Sequence, residues 1–193
     1  IYPLGFCGAP KHNEGGEPVN RLEKVLDWIP HLKEMQVDAV YFGPIFESVE
    51  HGYDTTDYRQ IDRRLGTNEM FKHICEVLHE NGIRVILDGV YSHTGSNSLY
   101  FNREGRYPSL GACQSPDSPY YSWYRFRRWP EEYDGWWGFV TLPEVQELDP
   151  SFMEFVNGPD GVVASWLAAG ASGWRLDVAD ELPDGFLDAL RSA

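Results

Sequence analysis

The chain has 193 residues, is 42% hydrophobic, and sets 30 acidic against 16 basic side chains for a formal charge of −14. An acidic chain without a basic stripe argues against nucleic acid and anionic membrane as partners, and it permits neutral ones. The length suits one good core with room for a subdomain, and no apolar run is long enough to span a bilayer.

The sequence starts at Ile1 with no charged, apolar, cleavable leader before it, so the N-terminus reads as processed or cut. Residues 1–7 form a plausible first strand. Asn20 is placed to cap a helix with Glu23 at the reciprocal capping-box position, and Leu22, Val25, Leu26 and Ile29 supply its apolar stripe until Pro30 kinks or ends it. Residues 38–42 give a second strand. Thr67 then caps a helix whose buried side is Met70, Phe71, Ile74, Val77 and Leu78, with Asn81-Gly82 as its stop. Residues 83–87 are a β-branched apolar run, as in a parallel strand covered on both faces. A helix over 160–170, a fourth strand over 173–178 and a helix from about Pro183 complete the alternation. Cys7, Cys75 and Cys113 are scattered, odd in number and without metal-ligand spacing. They read as free thiols, which favours the cytoplasm while leaving an extracellular location open.

Alternating strands and helices with right-handed crossovers build either an open doubly wound sheet or a barrel. No glycine-rich phosphate loop follows the first strand. Polar residues instead gather after successive strands: Tyr53, Asp54 and Asp57, then Asp88 and His93, then Arg175 and Asp177. That distribution is how a (β/α) barrel builds its active face. The spacing breaks once, over residues 94–158, too long for a simple connection and therefore an inserted subdomain. Its aromatics include Trp123, Trp129, Trp136 and Trp137, most of which should form its own small core. A few exposed ones would suit the flat faces of sugar rings.

Within 173–178, side chains two apart share a face, so Arg175 and Asp177 point one way and Trp174, Leu176 and Val178 the other. A guanidinium beside a carboxylate favours the ionised acid and orients it, as a nucleophile requires.

The segments Gly52-Tyr53-Asp54-Thr55-Thr56-Asp57-Tyr58, Asp88-Gly89-Val90-Tyr91-Ser92-His93, Leu142-Pro143-Glu144-Val145-Gln146 and Gly173-Trp174-Arg175-Leu176-Asp177 resemble, in order, the motifs of the α-amylase family, glycoside hydrolase family 13. Residues 102–108 and 179–183 are most similar to its cyclomaltodextrinase and neopullulanase branch. The resemblance implies an α/β chain forming the N-terminal half of a (β/α)8 TIM barrel, strands one to four, built from residues 1–93 and 159–193. Residues 94–158 would be its inserted domain. It further implies retaining hydrolysis of α-1,4-linked maltooligosaccharides, cyclic or branched ones included.

In that family Asp177 matches the nucleophile and Arg175 the arginine holding it. Tyr53, Asp57, Asp88, His93, Asp180 and Glu181 fall where residues shape or contact the sugar site. The family's acid/base Glu and third carboxylate belong to later strands, so the chain is expected to be inactive alone and to need the C-terminal half of its barrel. A free half barrel should aggregate or pair through its exposed edges. No cofactor is implied. Calcium, bound by some members beside the inserted domain, is disfavoured because Ser92 and Gln146 stand where those members carry better oxygen ligands. The alternative is a noncatalytic binding or scaffold protein of the same fold, for which a charged nucleophile would have no use.

Overall fold

In the computed structural model, which describes residues 1–193, Pro3 lies in the first turn of a short helix, α1 (Pro3–Phe6), so the strand expected over residues 1–7 does not form. Proline's fixed φ suits a helix start, and it has no N–H to give a ladder. Ile1 alone behaves as strand: its ammonium donates to the Tyr41 carbonyl at 2.8 Å, and its own carbonyl accepts from the Gly43 N–H at 2.8 Å.

The next helix is a 3₁₀ segment, Leu22–Trp28, that passes into α2 (Ile29–Glu34) with Pro30 in its first turn. Asn20 does not cap it. Arg21 holds the N-cap position with no side-chain bond, because the Leu22 N–H goes to the Leu65 carbonyl and the Lys24 N–H to the Arg21 carbonyl.

The strand β1 (Ala39–Tyr41) follows, then an antiparallel pair that the sequence did not announce, β2 (Phe46–Ser48) with β3 (Thr55–Ile61). Helix α3 (Asn68–Glu80) is as expected: the Thr67 hydroxyl accepts from the Met70 N–H, and Asn81 sits at the C-cap. Phe71, Ile74 and Leu78 are fully buried on its inner face, each contributing about 1.5–3 kcal/mol of burial. After β4 (Arg84–Gly89) come the hairpin β5 (Phe126–Arg128) and β6 (Glu132–Tyr133), then α4 (Pro150–Asn157), α5 (Val162–Ala168), β7 (Gly173–Leu176) and α6 (Asp184–Ser192). At Gly170, which ends the turn after α5, φ is +113 and a Cβ would stand 2.7 Å from that of Cys75, so only glycine fits.

β1, β4 and β7 form one parallel sheet in that order, with Val40 opposite Val85, Leu87 opposite Trp174, and Asp88 opposite Arg175. The helices α4, α5 and α6 pack together, and α3 covers β4. No helix is long and apolar enough to cross a membrane, and all three cysteines are free.

Residues 94–158 wrap an aromatic centre. Trp123 meets Tyr120 at 4.8 Å, Phe152 at 5.0 Å, Phe155 at 5.1 Å and Tyr100 at 5.2 Å between centroids. The segment is tied to the chain leaving β4 where the Val145 N–H donates to the Ser92 carbonyl, and it closes on itself where the Thr94 N–H donates to Pro143 and the Ser96 N–H to Thr141.

Candidate active site

Register makes the site. Asp88 and Arg175 are direct neighbours on adjacent parallel strands, so their side chains leave the sheet together. Asp177 lies two residues beyond Arg175, and Tyr41 faces Ile86, two before Asp88, so all four share one face at the strands' C-terminal ends. A single guanidinium nitrogen, Arg175 Nη1, donates to Asp88 Oδ1 at 2.9 Å and to Asp177 Oδ1 at 2.7 Å. The Tyr41 hydroxyl donates to the other Asp88 oxygen. The Asp177 N–H prolongs the sheet by bonding the Gly89 carbonyl at 3.0 Å, which fixes the carboxylate's root.

Burial pushes the Asp88 carboxyl above its usual range, against the hydrogen bonds from Tyr41 and Arg175 that pull it down. The bond to Asp88 raises the Arg175 guanidinium further above its already high value. The Tyr41 and Tyr53 hydroxyls are both raised, by burial first and by the nearby Asp88 next or after its hydrogen bond. The backbone reverses sharply after Asp177: Val178 has φ +42, a conformation strained for a β-branched residue.

Tyr53 is held by its loop. Asp54, nearly buried, accepts from the N–H groups of Glu50 at 2.8 Å, Gly52 at 3.1 Å and Val49 at 3.2 Å. Gly52 has φ +95, and a Cβ there would meet that of Pro44 at 2.9 Å. Arg64, only 4% exposed, pins the same loop: it pairs with Asp62 and donates to the carbonyls of Pro10, Lys11 and Glu50.

His93 is buried, and burial pushes its imidazole down to about 4, so it is neutral at ordinary pH. Its Nε2 lies 3.0 Å from the Tyr53 carbonyl, which only accepts, so that nitrogen carries the proton. Nδ1 then accepts from the Ser92 hydroxyl at 2.8 Å. Both ring nitrogens are thus engaged within the protein.

Of the residues singled out from sequence, Tyr53, Asp88, His93, Arg175 and Asp177 gather at this face. Asp57 stands apart on β3, where its carboxylate accepts from the Arg59 N–H at 2.8 Å and neighbours Tyr100. Asp180 is exposed on the turn after β7 and forms no side-chain hydrogen bond. Glu181 bonds Trp136 and Trp137, in the stretch 94–158. Tyr41 was missed, although a tyrosine closing a strand's C-terminal end was the available signal.

The two positions tied to calcium make hydrogen bonds within the protein. The Gln146 amide donates to the Ser122 carbonyl at 2.7 Å, and Ser92 serves His93. No three His, Cys, Asp or Glu side chains converge as ligands.

The family model of the alpha-amylase catalytic domain matches residues 1–190. The amylopullulanase of Thermoanaerobacter thermohydrosulfuricus is 39% identical over 196 residues, covering 89% of this chain and 13% of that protein. The cyclomaltodextrinase of a Bacillus species is 33% identical over 180 residues, covering 88% of this chain and 30% of its own length. A solved structure of the Nostoc punctiforme debranching enzyme, soaked with acarbose, superposes with a TM-score of 0.78 at 32% identity, over 92% of this chain and 37% of its own. The chain therefore spans only a small part of these two relatives, 13% and 30% of their lengths. With the match running almost from end to end and the charged motif residues meeting on the strand ends, the chain belongs to the alpha-amylase catalytic-domain family.

Proposed function

We propose that the protein containing this chain is a retaining α-glucan hydrolase acting on α-1,4-linked maltooligosaccharides, cyclic and branched ones included, with Asp177 as its nucleophile. The observation that carries the reading is the bridge of Arg175 between buried Asp88 and half-buried Asp177, which leaves the second Asp177 oxygen without a hydrogen bond and ready to attack. An Asp177 oxygen would bond the anomeric carbon as the glycosidic C–O bond breaks, and a general acid would give its proton to the departing oxygen. Water would then release the sugar with retained configuration. The names of the relatives, amylopullulanase and cyclomaltodextrinase, point to the same substrate class.

Retention needs a second carboxyl about 5 Å from the first. Asp88 is already bonded by Tyr41 and Arg175, and both Glu181 oxygens accept from indoles, so neither is a free acid. We place the acid in a part of the catalytic domain outside residues 1–193, and residues 1–193 alone should not hydrolyse maltodextrin. In this reading Ile1, β1, β4 and β7 are the successive strands of a (β/α)8 barrel, and residues 94–158 are its inserted domain. β7 then pairs with the rest of the barrel, and the isolated chain associates through that edge. Hydrolysis proceeds without calcium beside the inserted domain, and the free thiols suit the cytoplasm.

Trapping tests the assignment. A doubly fluorinated α-glucosyl fluoride, which forms the intermediate faster than water resolves it, should leave a glucosyl group on the peptide containing Asp177. Labelling of another carboxylate, or full activity in Asp177→Asn, would refute it.

A further inference from the structure

An aromatic stack projects from the inserted segment towards the strand ends. Trp136 and Trp137 lie with centroids 5.2 Å apart and planes 22° from parallel, and Phe139 lies 6.4 Å from Trp136. Trp136 also rests against the His93 ring at 5.2 Å, while Trp137 is 76% exposed. Consecutive residues in regular backbone point in different directions, yet these two indoles reach one carboxylate. Trp136 Nε1 donates to Glu181 Oε2 at 2.8 Å and Trp137 Nε1 to Glu181 Oε1 at 3.0 Å. The convergence needs an unusual turn, and Trp137 and Gly138 supply it at φ +50 and φ +83.

We infer that Glu181 is a positioning residue, a latch that ties the tip of the inserted segment to the turn following the nucleophile strand. Its carboxylate gives one oxygen to each indole, and in this role it acts through the tryptophans and not on the sugar. With the latch closed, Trp136 is held on His93 and the outer face of Trp137 forms a flat apolar rim to the cleft. Such a face stacks on a pyranose ring. The inference rests on the proposed α-glucan hydrolase and deepens it: the rim, and with it the affinity for the chain, depends on a carboxylate that need not touch substrate. Nothing else bonds the two indole N–H groups, so losing Glu181 frees both.

The test uses the full enzyme that contains this chain, with Glu181→Ala, Glu181→Gln, Trp137→Ala and the double variant Glu181→Ala/Trp137→Ala. In Glu181→Ala, the indole N–H resonances of Trp136 and Trp137 should shift and acrylamide quenching of tryptophan emission should rise. Glu181→Gln keeps one accepting oxygen but turns an amide towards the other donor, so one resonance should move more than the other. The KM for maltooligosaccharide should rise about fivefold in Glu181→Ala, more than kcat falls, as expected for a lost stacking contact. Trp137→Ala should raise KM alike, and the double variant no further, since both remove the same rim. Unchanged indole resonances, or KM effects that multiply in the double variant, would overturn the latch and make Glu181 a direct sugar contact. If the enzyme turns over no α-glucan, the hydrolase reading fails, while the indole resonances still report on the latch.

Discussion

Acidification should act on two partly opposed groups, and their balance is measurable. His93 is 1% exposed, and burial lowers its pKa from 6.5 to about 4, with the Tyr53 carbonyl and the Asp177 carboxylate pulling the other way. Between those values the unfolded chain binds a proton that the folded chain refuses. The stability is therefore complete above the unfolded value and declines as pH falls below it. From pH 6.5 to 5, at roughly 1.4 kcal/mol per unit, the loss is about 2 kcal/mol. Glu147 does the reverse. It lines a hollow of about 230 Å³ with Arg125, Asp134 and Glu144. Burial, followed by repulsion from Glu144 and Glu181, pushes its carboxyl up from 4.5 to about 7. The folded state binds that proton first, so its contribution is present below the unfolded value and lost as pH rises through about 7. Glu147 is only half-buried, and solvent screening cuts its return between pH 7 and 5 to about 1 kcal/mol.

The catalytic domain containing this chain should accordingly lose about 1 kcal/mol from these two groups between pH 7 and 5, and its Glu147→Gln variant about 2. Urea unfolding at three pH values gives the slopes, and the His93 ring resonances give the titration directly. A His93 that titrates near 6.5, or a Glu147→Gln variant with the shallower pH dependence, would refute the reasoning.

Arg175→Ala should cost about 1–3 kcal/mol in unfolding free energy, because the Asp88 side chain, 0% exposed, keeps only Tyr41 as partner while the partly exposed guanidinium is lost. A loss below 1 kcal/mol would mean that Asp88 protonates freely. Arg64→Ala should cost more, about 3–5 kcal/mol, and expose residues 8–16 to limited proteolysis, since it removes the donor to Pro10 and Lys11 along with the Asp62 pair. At Val178, φ +42 inverts a familiar order: Val178→Gly should be at least as stable as Val178→Ala by thermal melting, because only glycine escapes the roughly 1–2 kcal/mol cost of a left-handed residue.

The strands near residues 38–42, 83–87 and 173–178 were legible because β-branched and apolar residues dominate them. Asp88, Arg175 and Asp177 could be placed on one face because the side-chain period of a strand is two. The expected first strand failed at Pro3, which turns the chain into α1 after a single paired residue. The β2–β3 pair escaped notice because β3 mixes polar and apolar residues, with Thr55 and Thr56 buried alongside Tyr58 and Ile61. Asp57 was grouped with Tyr53 by closeness in sequence, but the turn held by Asp54 lies between them and sends β3 back along β2. The latch was illegible for a different reason: Trp136 and Trp137 meet a carboxylate over forty positions away, through a left-handed turn that no pattern marks.

Buried charge explains why the site is anchored where it is. Asp88, buried on the sheet, is paired by strand register to the partly exposed Arg175, and a buried carboxylate that loses a hydrogen-bonding partner is destabilised, so the guanidinium is tied to the sheet. The same nitrogen then holds Asp177. The orientation of the proposed nucleophile is thus set by two backbone ladders and one buried acid, while the loops that carry Tyr53, Trp137 and Glu181 shape the cleft around it. Substitutions in those loops should change ligand affinity well before they change how Asp177 points, whereas any change at Asp88 should misdirect the carboxylate of the proposed nucleophile itself.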